Sequence, residues 1–112
     1  MEIQYVSGDK PPINEIIEVY LSSGISRPID DRKRMEAMYE NSNLVITAWD
    51  GAILVGIARS LTDFCYSCYL SDLAVRKEYQ HRGIGKKLVE LTREKVGPQS
   101  MLLLLAAPCA ME

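Results

Sequence analysis

Within this 112-residue chain, Gln80-His81-Arg82-Gly83-Ile84-Gly85-Lys86 is the stretch whose residue types and spacing point most directly to chemistry. Two glycines one residue apart open an amphipathic segment, and Arg82 and Lys86 flank them. The first N–H groups of a helix have no acceptor inside the helix and carry partial positive charge. Glycines lack a Cβ, so a bulky anion can reach that backbone. The chemistry implied is the holding of a phosphate or pyrophosphate. Two familiar phosphate motifs fail. A P-loop needs Gly at position 80 and Ser or Thr at position 87, where this chain has Gln80 and Lys87. The dinucleotide fingerprint needs a third glycine where Leu88 stands, and an acidic residue that Met101–Ala107 does not supply.

Charge supports a small anionic ligand. The chain carries a net −2, yet residues 76–95 hold seven Lys or Arg against three acidic residues. A local basic patch on an acidic protein suits a small polyanion, although a solvated helix face reads the same way. A nucleic-acid partner is not expected, because no aromatic residues interleave with the patch as a stacking platform would need. Cys65-Tyr66-Ser67-Cys68 has C-x-x-C spacing, but no second ligand pair follows and the lone His81 is distant, so no metal is expected. A redox pair belongs at a helix start, whereas this one leads into a strand. No apolar run reaches the length of a membrane span. Met1-Glu2-Ile3-Gln4 has no signal-peptide character, so the expected location is cytoplasmic.

The elements that position the glycine stretch follow from periodicity. Ile3–Val6 reads as a strand, and Ser7–Pro12 as a turn into a helix. Ile13, Ile16, Ile17, Tyr20 and Leu21 make one apolar helical face, ended by Ser22-Ser23-Gly24. The polar loop Gly24–Ile29, with Arg27-Pro28, leads to a second helix capped by Asp30 or Asp31, with Met35, Met38 and Tyr39 on its apolar side. Leu44–Trp49 and Ala52–Leu61 are strands joined by an Asp50-Gly51 hairpin turn. Tyr66–Val75 is a third antiparallel strand, and Gly83–Val96 a helix with Ile84, Leu88 and Leu91 buried. Met101–Ala106 is short and continuously apolar, as a parallel strand covered on both faces would be. The fold class is α/β, a mixed α+β sheet in the order β-α-α-β-β-β-α-β, forming a single domain over 1–112 with a right-handed crossover.

Leu73–Leu88 resembles motif A of the GCN5-related N-acetyltransferases (GNAT). The motif Q/R-x-x-G-x-G/A reads here Gln80-x-x-Gly83-x-Gly85, after an L-x-V strand at Leu73-Ala74-Val75. The resemblance covers essentially the whole chain. It implies the acyl-CoA N-acyltransferase fold and transfer of an acetyl group from acetyl-CoA to a primary amine by direct attack. Leu73, Ala74 and Val75 would offer main-chain groups to the pantetheine arm. Gln80, His81, Arg82, Gly83, Ile84, Gly85 and Lys86 would line the pyrophosphate loop. Asp72 would be the base, acting directly or through water, with Tyr69 and Glu112 as lesser candidates; ordering a turn or a water is the competing role for Asp72.

The resemblance breaks after the last strand. The family's general acid is a tyrosine on the next helix, and this chain has none beyond Tyr79. Pro108–Glu112 reads as the opening of that helix cut short, with Cys109 as a packing residue. The fold is therefore expected to lack its C-terminal part. The apolar strand 101–106 would then be an edge, open to a second copy of the chain in a homodimer. The acceptor stays open between small-molecule and peptide amines. A non-catalytic CoA-binding module and a binder of another phosphorylated ligand are the competing readings.

Overall fold

The structure is a computed structural model that describes residues 2–104. The elements run β1 Gln4–Ser7, α1 Ile13–Ser23, α2 Arg32–Glu40, β2 Leu44–Asp50, β3 Ile53–Thr62, β4 Ser67–Val75, α3 Ile84–Val96 and β5 Met101–Leu104, with a 3-10 turn over Lys77–Tyr79. The mixed α+β class and the element order match the sequence reading. The tail of the expected last strand, Cys109, Glu112 and the helix opening at Pro108 lie outside the described residues.

Local chemistry sets the boundaries. Pro12 precedes α1, and Gly24 ends it in the left-handed region at φ 80°, its N–H donating to the Tyr20 carbonyl. Asp31 is the cap of α2, its carboxylate accepting from the Arg34 N–H at 3.1 Å. The β2–β3 turn consists of Gly51 and Ala52, one residue later than expected, because Asp50 still pairs with Ile53.

The strands form one sheet in sequence order. β1 to β4 pair antiparallel, and β5 pairs parallel to β4, with Ser67 opposite Met101 and Leu70 opposite Leu104. One apolar cluster joins α3 to the sheet through Ile84, Leu88 and Val96 against Ile46, Val55, Ala58, Leu70 and Leu73. A second joins α1 and α2 to the other face through Ile16, Val19, Tyr20, Met35 and Tyr39 against Val45, Leu54, Ile57 and Ala74. The buried stripe of α3 runs through Ile84, Gly85, Leu88, Thr92 and Val96, so the expected Leu91 is only half-buried.

The last strand corrects one expectation. Met101–Leu104 is parallel as predicted, but it is not covered on both faces. Leu102 and Leu104 pack toward α3, while Met101 and Leu103 remain exposed at 59% and 51%. An apolar run alone cannot distinguish two-sided burial from one-sided burial.

Two bulges shape the sheet where it matters for function. Arg59 pairs with Asp72 and Ser60 with Leu70, which leaves Ser71 as an extra residue in β4. The extra residue reverses the side-chain alternation. Leu70 therefore joins the α3 cluster, whereas Asp72, two residues on, reaches Tyr20 on the opposite face. In β3, Ala48 pairs with Gly56 and Trp49 with Leu54, leaving Val55 extra. Gly56 then faces α3, where an added Cβ would lie 3.2 Å from Leu88 Cδ1 and 3.3 Å from Ile84 Cγ2.

Candidate functional site

The glycine loop lies between β4 and α3. Arg76, the residue after β4, donates its N–H to the Val55 carbonyl at 2.8 Å and its Nε to the Leu54 carbonyl at 2.6 Å. Tyr79 donates its hydroxyl to Asp50 at 2.7 Å, which fastens the 3-10 turn to the β2–β3 hairpin. The Arg82 guanidinium carbon sits 5.6 Å from the centre of the Tyr79 ring. The loop's entry is thus tied to the sheet before the helix begins.

The helix start is open and preceded by a glycine. Gly83 is the residue before α3, at φ 83°, and His81 also has a positive φ, 65°. The first helical bond closes from the Lys87 N–H to the Gly83 carbonyl at 3.0 Å. Helix geometry therefore leaves the N–H groups of Ile84, Gly85 and Lys86 without an intrahelical acceptor. A Cβ at Gly83 would meet nothing within 4 Å, so the space beside this backbone is open. Ile84 and Gly85 are buried against the sheet, while His81, Arg82, Lys86 and Lys87 are exposed. Gln80 is tied back to the strand before the loop. Its Nε2 donates to the Val75 carbonyl at 2.9 Å and holds the loop against the end of β4.

Leu73, Ala74 and Val75 are buried and pair with Ala58, Ile57 and Gly56 on β3. On the other side, β5 pairs with β4 over Ser67–Leu70 among the described residues.

Asp72 is fully buried and sits among five donors. One carboxylate oxygen accepts from Arg27 Nε at 2.7 Å, Ser71 Oγ at 3.0 Å and an Arg59 terminal nitrogen at 3.3 Å. The other accepts from the Tyr20 hydroxyl at 2.7 Å and Arg59 Nε at 2.8 Å. Tyr20 has one hydroxyl proton, and it is directed at Asp72. The 2.5 Å contact between the Tyr20 and Tyr39 hydroxyls is therefore donated by Tyr39. Burial raises the pKa of both phenols, which stay neutral. Burial alone would raise the Asp72 pKa as well, but the hydrogen bonds from Arg59, Tyr20 and Arg27 and the Arg59 charge outweigh it and hold the carboxyl below its ordinary value. A carboxylate so placed is a weak base with no open approach. Both oxygens are thus taken up by protein donors.

The sequence reading did not single out Arg59, Tyr20, Tyr39, Ser71 or Gly56 for this region. One signal was available. Arg59 interrupts the mostly apolar run Val55–Leu61, and a charge in such a strand needs a buried partner. Tyr69, the lesser acid–base candidate, is partly exposed beside Leu61 and Leu103. Cys65 is exposed and Cys68 is buried in the α3 cluster. No group of three potential ligands for a metal ion occurs among the described residues. No helix there is long and apolar enough to cross a membrane.

A family model, the acetyltransferase (GNAT) domain, matches residues 18–106, which takes in the second half of α1, both bulges and the whole glycine loop. The chain belongs to the GNAT acetyltransferase family. Its fold is that of solved GNAT structures. A GNAT-family acetyltransferase from Streptococcus pneumoniae superposes with a TM-score of 0.79 at 21% identity, over 96% of this chain and 77% of that one. A probable acetyltransferase from Staphylococcus aureus gives 0.83 at 22% identity, over 95% and 80%. The PaiA N-acetyltransferase of Thermoplasma acidophilum, solved in complex with coenzyme A, gives 0.63 at 21% identity, over 86% and 72%. No curated protein matches the chain.

Proposed function

We propose that this GNAT domain binds acetyl-CoA and transfers the acetyl group to a primary amine of a small molecule or peptide. The observation that carries the reading is the open, glycine-flanked start of α3, delivered directly from β4. Three N–H groups without intrahelical acceptors, open space beside Gly83 and the exposed side chains of Arg82, Lys86 and Lys87 suit a pyrophosphate. Leu73, Ala74 and Val75 would supply main-chain groups to the pantetheine arm, and Gln80 would hold the loop in shape.

Bound acetyl-CoA would supply an acetyl thioester. The acceptor nitrogen would form the new C–N bond as the C–S bond breaks, and one proton would pass from nitrogen to the departing sulfur. Asp72 would act through the residues it holds, leaving water as the proton carrier. That commitment of Asp72 also favours a second reading, a CoA-binding module without turnover. Release of free thiol in the presence of an amine separates the two. We further propose a cytoplasmic location and a second copy of the chain against β5, the described part of the edge expected at 101–106.

Calorimetry tests the loop. Gly83→Val is expected to abolish coenzyme A binding while far-UV circular dichroism stays native. Gly83 needs its positive φ, and a branched side chain there would stand in the open space beside the loop and block anion approach. Native affinity in a folded variant would remove the loop from the site.

A further inference from the structure

Two guanidinium groups meet one carboxylate at the β4 bulge, and they arrive by different routes. Arg59 comes from the neighbouring strand, in register with Asp72, and its side chain is 9% exposed. It also donates to Ser42 Oγ and Ser71 Oγ, each at 3.0 Å. Arg27 comes from the α1–α2 loop, 45 residues away in sequence, and its side chain is 25% exposed. Its Nε binds Asp72 at 2.7 Å, and a terminal nitrogen binds the Ser71 carbonyl at 2.7 Å. The other terminal nitrogen returns to the loop's own Ser26 carbonyl at 2.6 Å. Ser71 is the extra residue of the bulge.

Arg59 already neutralises Asp72. Arg27 is not needed to satisfy that charge; two of its three bonds join the loop to the sheet, and the third braces the loop itself. We propose that Arg27 is a positioning residue. It fixes the 24–31 loop on the Ser71–Asp72 bulge, next to Leu73–Val75 where the acetyl donor is proposed to lie, and so shapes the acceptor's approach to that donor. The loop is otherwise held by Ile25 and Ile29, which pack half-buried on the α1–α2 cluster. Apolar contacts of that kind anchor a segment without fixing its register, whereas a forked guanidinium with two acceptors on adjacent residues does. The role in transfer rests on the function proposed above; the fastening of the loop does not.

The test uses the full 112-residue chain and Arg27→Ala. Amide hydrogen exchange over residues 25–31 is expected to speed up by about tenfold or more, with the amides of β3 and α3 unchanged. Unchanged loop exchange overturns the fastening. Thiol release is then followed with spermidine, kanamycin and a lysine-containing peptide as acceptor probes. The acceptor KM is expected to rise or kcat to fall by roughly ten- to a hundredfold, with the KM for acetyl-CoA unchanged. Millimolar guanidinium is expected to restore much of the loss, and Arg27→Lys, which cannot fork, to stay impaired. An equal effect on both substrates, no effect on either, or failure of rescue overturns the positioning role. Coenzyme binding without turnover of any probe by the native chain overturns the transfer reading and the positioning role with it. The exchange result would still judge the fastening alone.

Discussion

Asp72 is where one carboxylate coordinates two strands, a helix and a loop. Its folded pKa lies below the ordinary value of 3.8, so the ion pairs it makes stabilise the fold above that pH. The contribution is lost as pH falls through the folded value. Unfolding free energy measured in urea should therefore decline below about pH 4, and Asp72→Asn should flatten that decline. Asp63 titrates in the same direction, its carboxyl lowered to about 2 by N–H donors from Tyr66, Ser67 and Cys65, so Asp63→Asn is the matching control. Asp72→Ala strips the partner from two guanidinium groups and the acceptor from Tyr20. It should cost about 3–5 kcal/mol, the usual penalty for leaving a buried charge unpaired. A loss no larger than that of an exposed ion pair would show that water reaches the cluster freely.

At the scale of elements, local rules carried most of the reading. Gly24 and Gly97 end helices, Asp31 caps one, and a two-residue turn closes the hairpin, each through the immediate chemistry of a few neighbours. The bulges were not legible, because an extra residue in a strand leaves no mark on composition and is fixed by what lies across the sheet. Tyr20 shows the same limit. Helical spacing placed it correctly on the buried face of α1, but nothing in α1 reveals that its hydroxyl meets a carboxylate 52 residues later. Gly56 also passed as an ordinary strand residue. Its missing Cβ lets the first turns of α3 lie close against β3, so it helps set where the glycine loop sits. Gly56→Ala should press on Leu88 and Ile84, cost about 1 kcal/mol, and weaken coenzyme A binding more than that loss explains. Urea unfolding and calorimetry on the same variant check both halves. Unchanged affinity in a destabilised protein would separate the position of α3 from the function of its N-terminus.

Across the whole molecule, apolar surface is unevenly placed. Leu61, Tyr69 and Leu103 stand opposite one another on β3, β4 and β5, and all three are exposed. Met101, Phe64 and Tyr66, exposed as well, come from β5 and the β3–β4 turn at the same end of the sheet. Helices α1 and α2 cover this face over β2, β3 and the second half of β4, and the exposed row lies past their reach. An apolar row on β5, which pairs on one side among the described residues, favours association between chains. Light scattering should therefore show a mass that rises with concentration. Leu103→Lys places a charge in the middle of the row and should shift that rise to higher concentration. Because Leu103 is 51% exposed, the substitution removes little core and should leave the melting temperature almost unchanged. A native chain that stays monomeric at high concentration would show that the row is tolerated as ordinary surface. Association that Leu103→Lys does not touch would place the contact elsewhere, with the β1 edge as the next candidate.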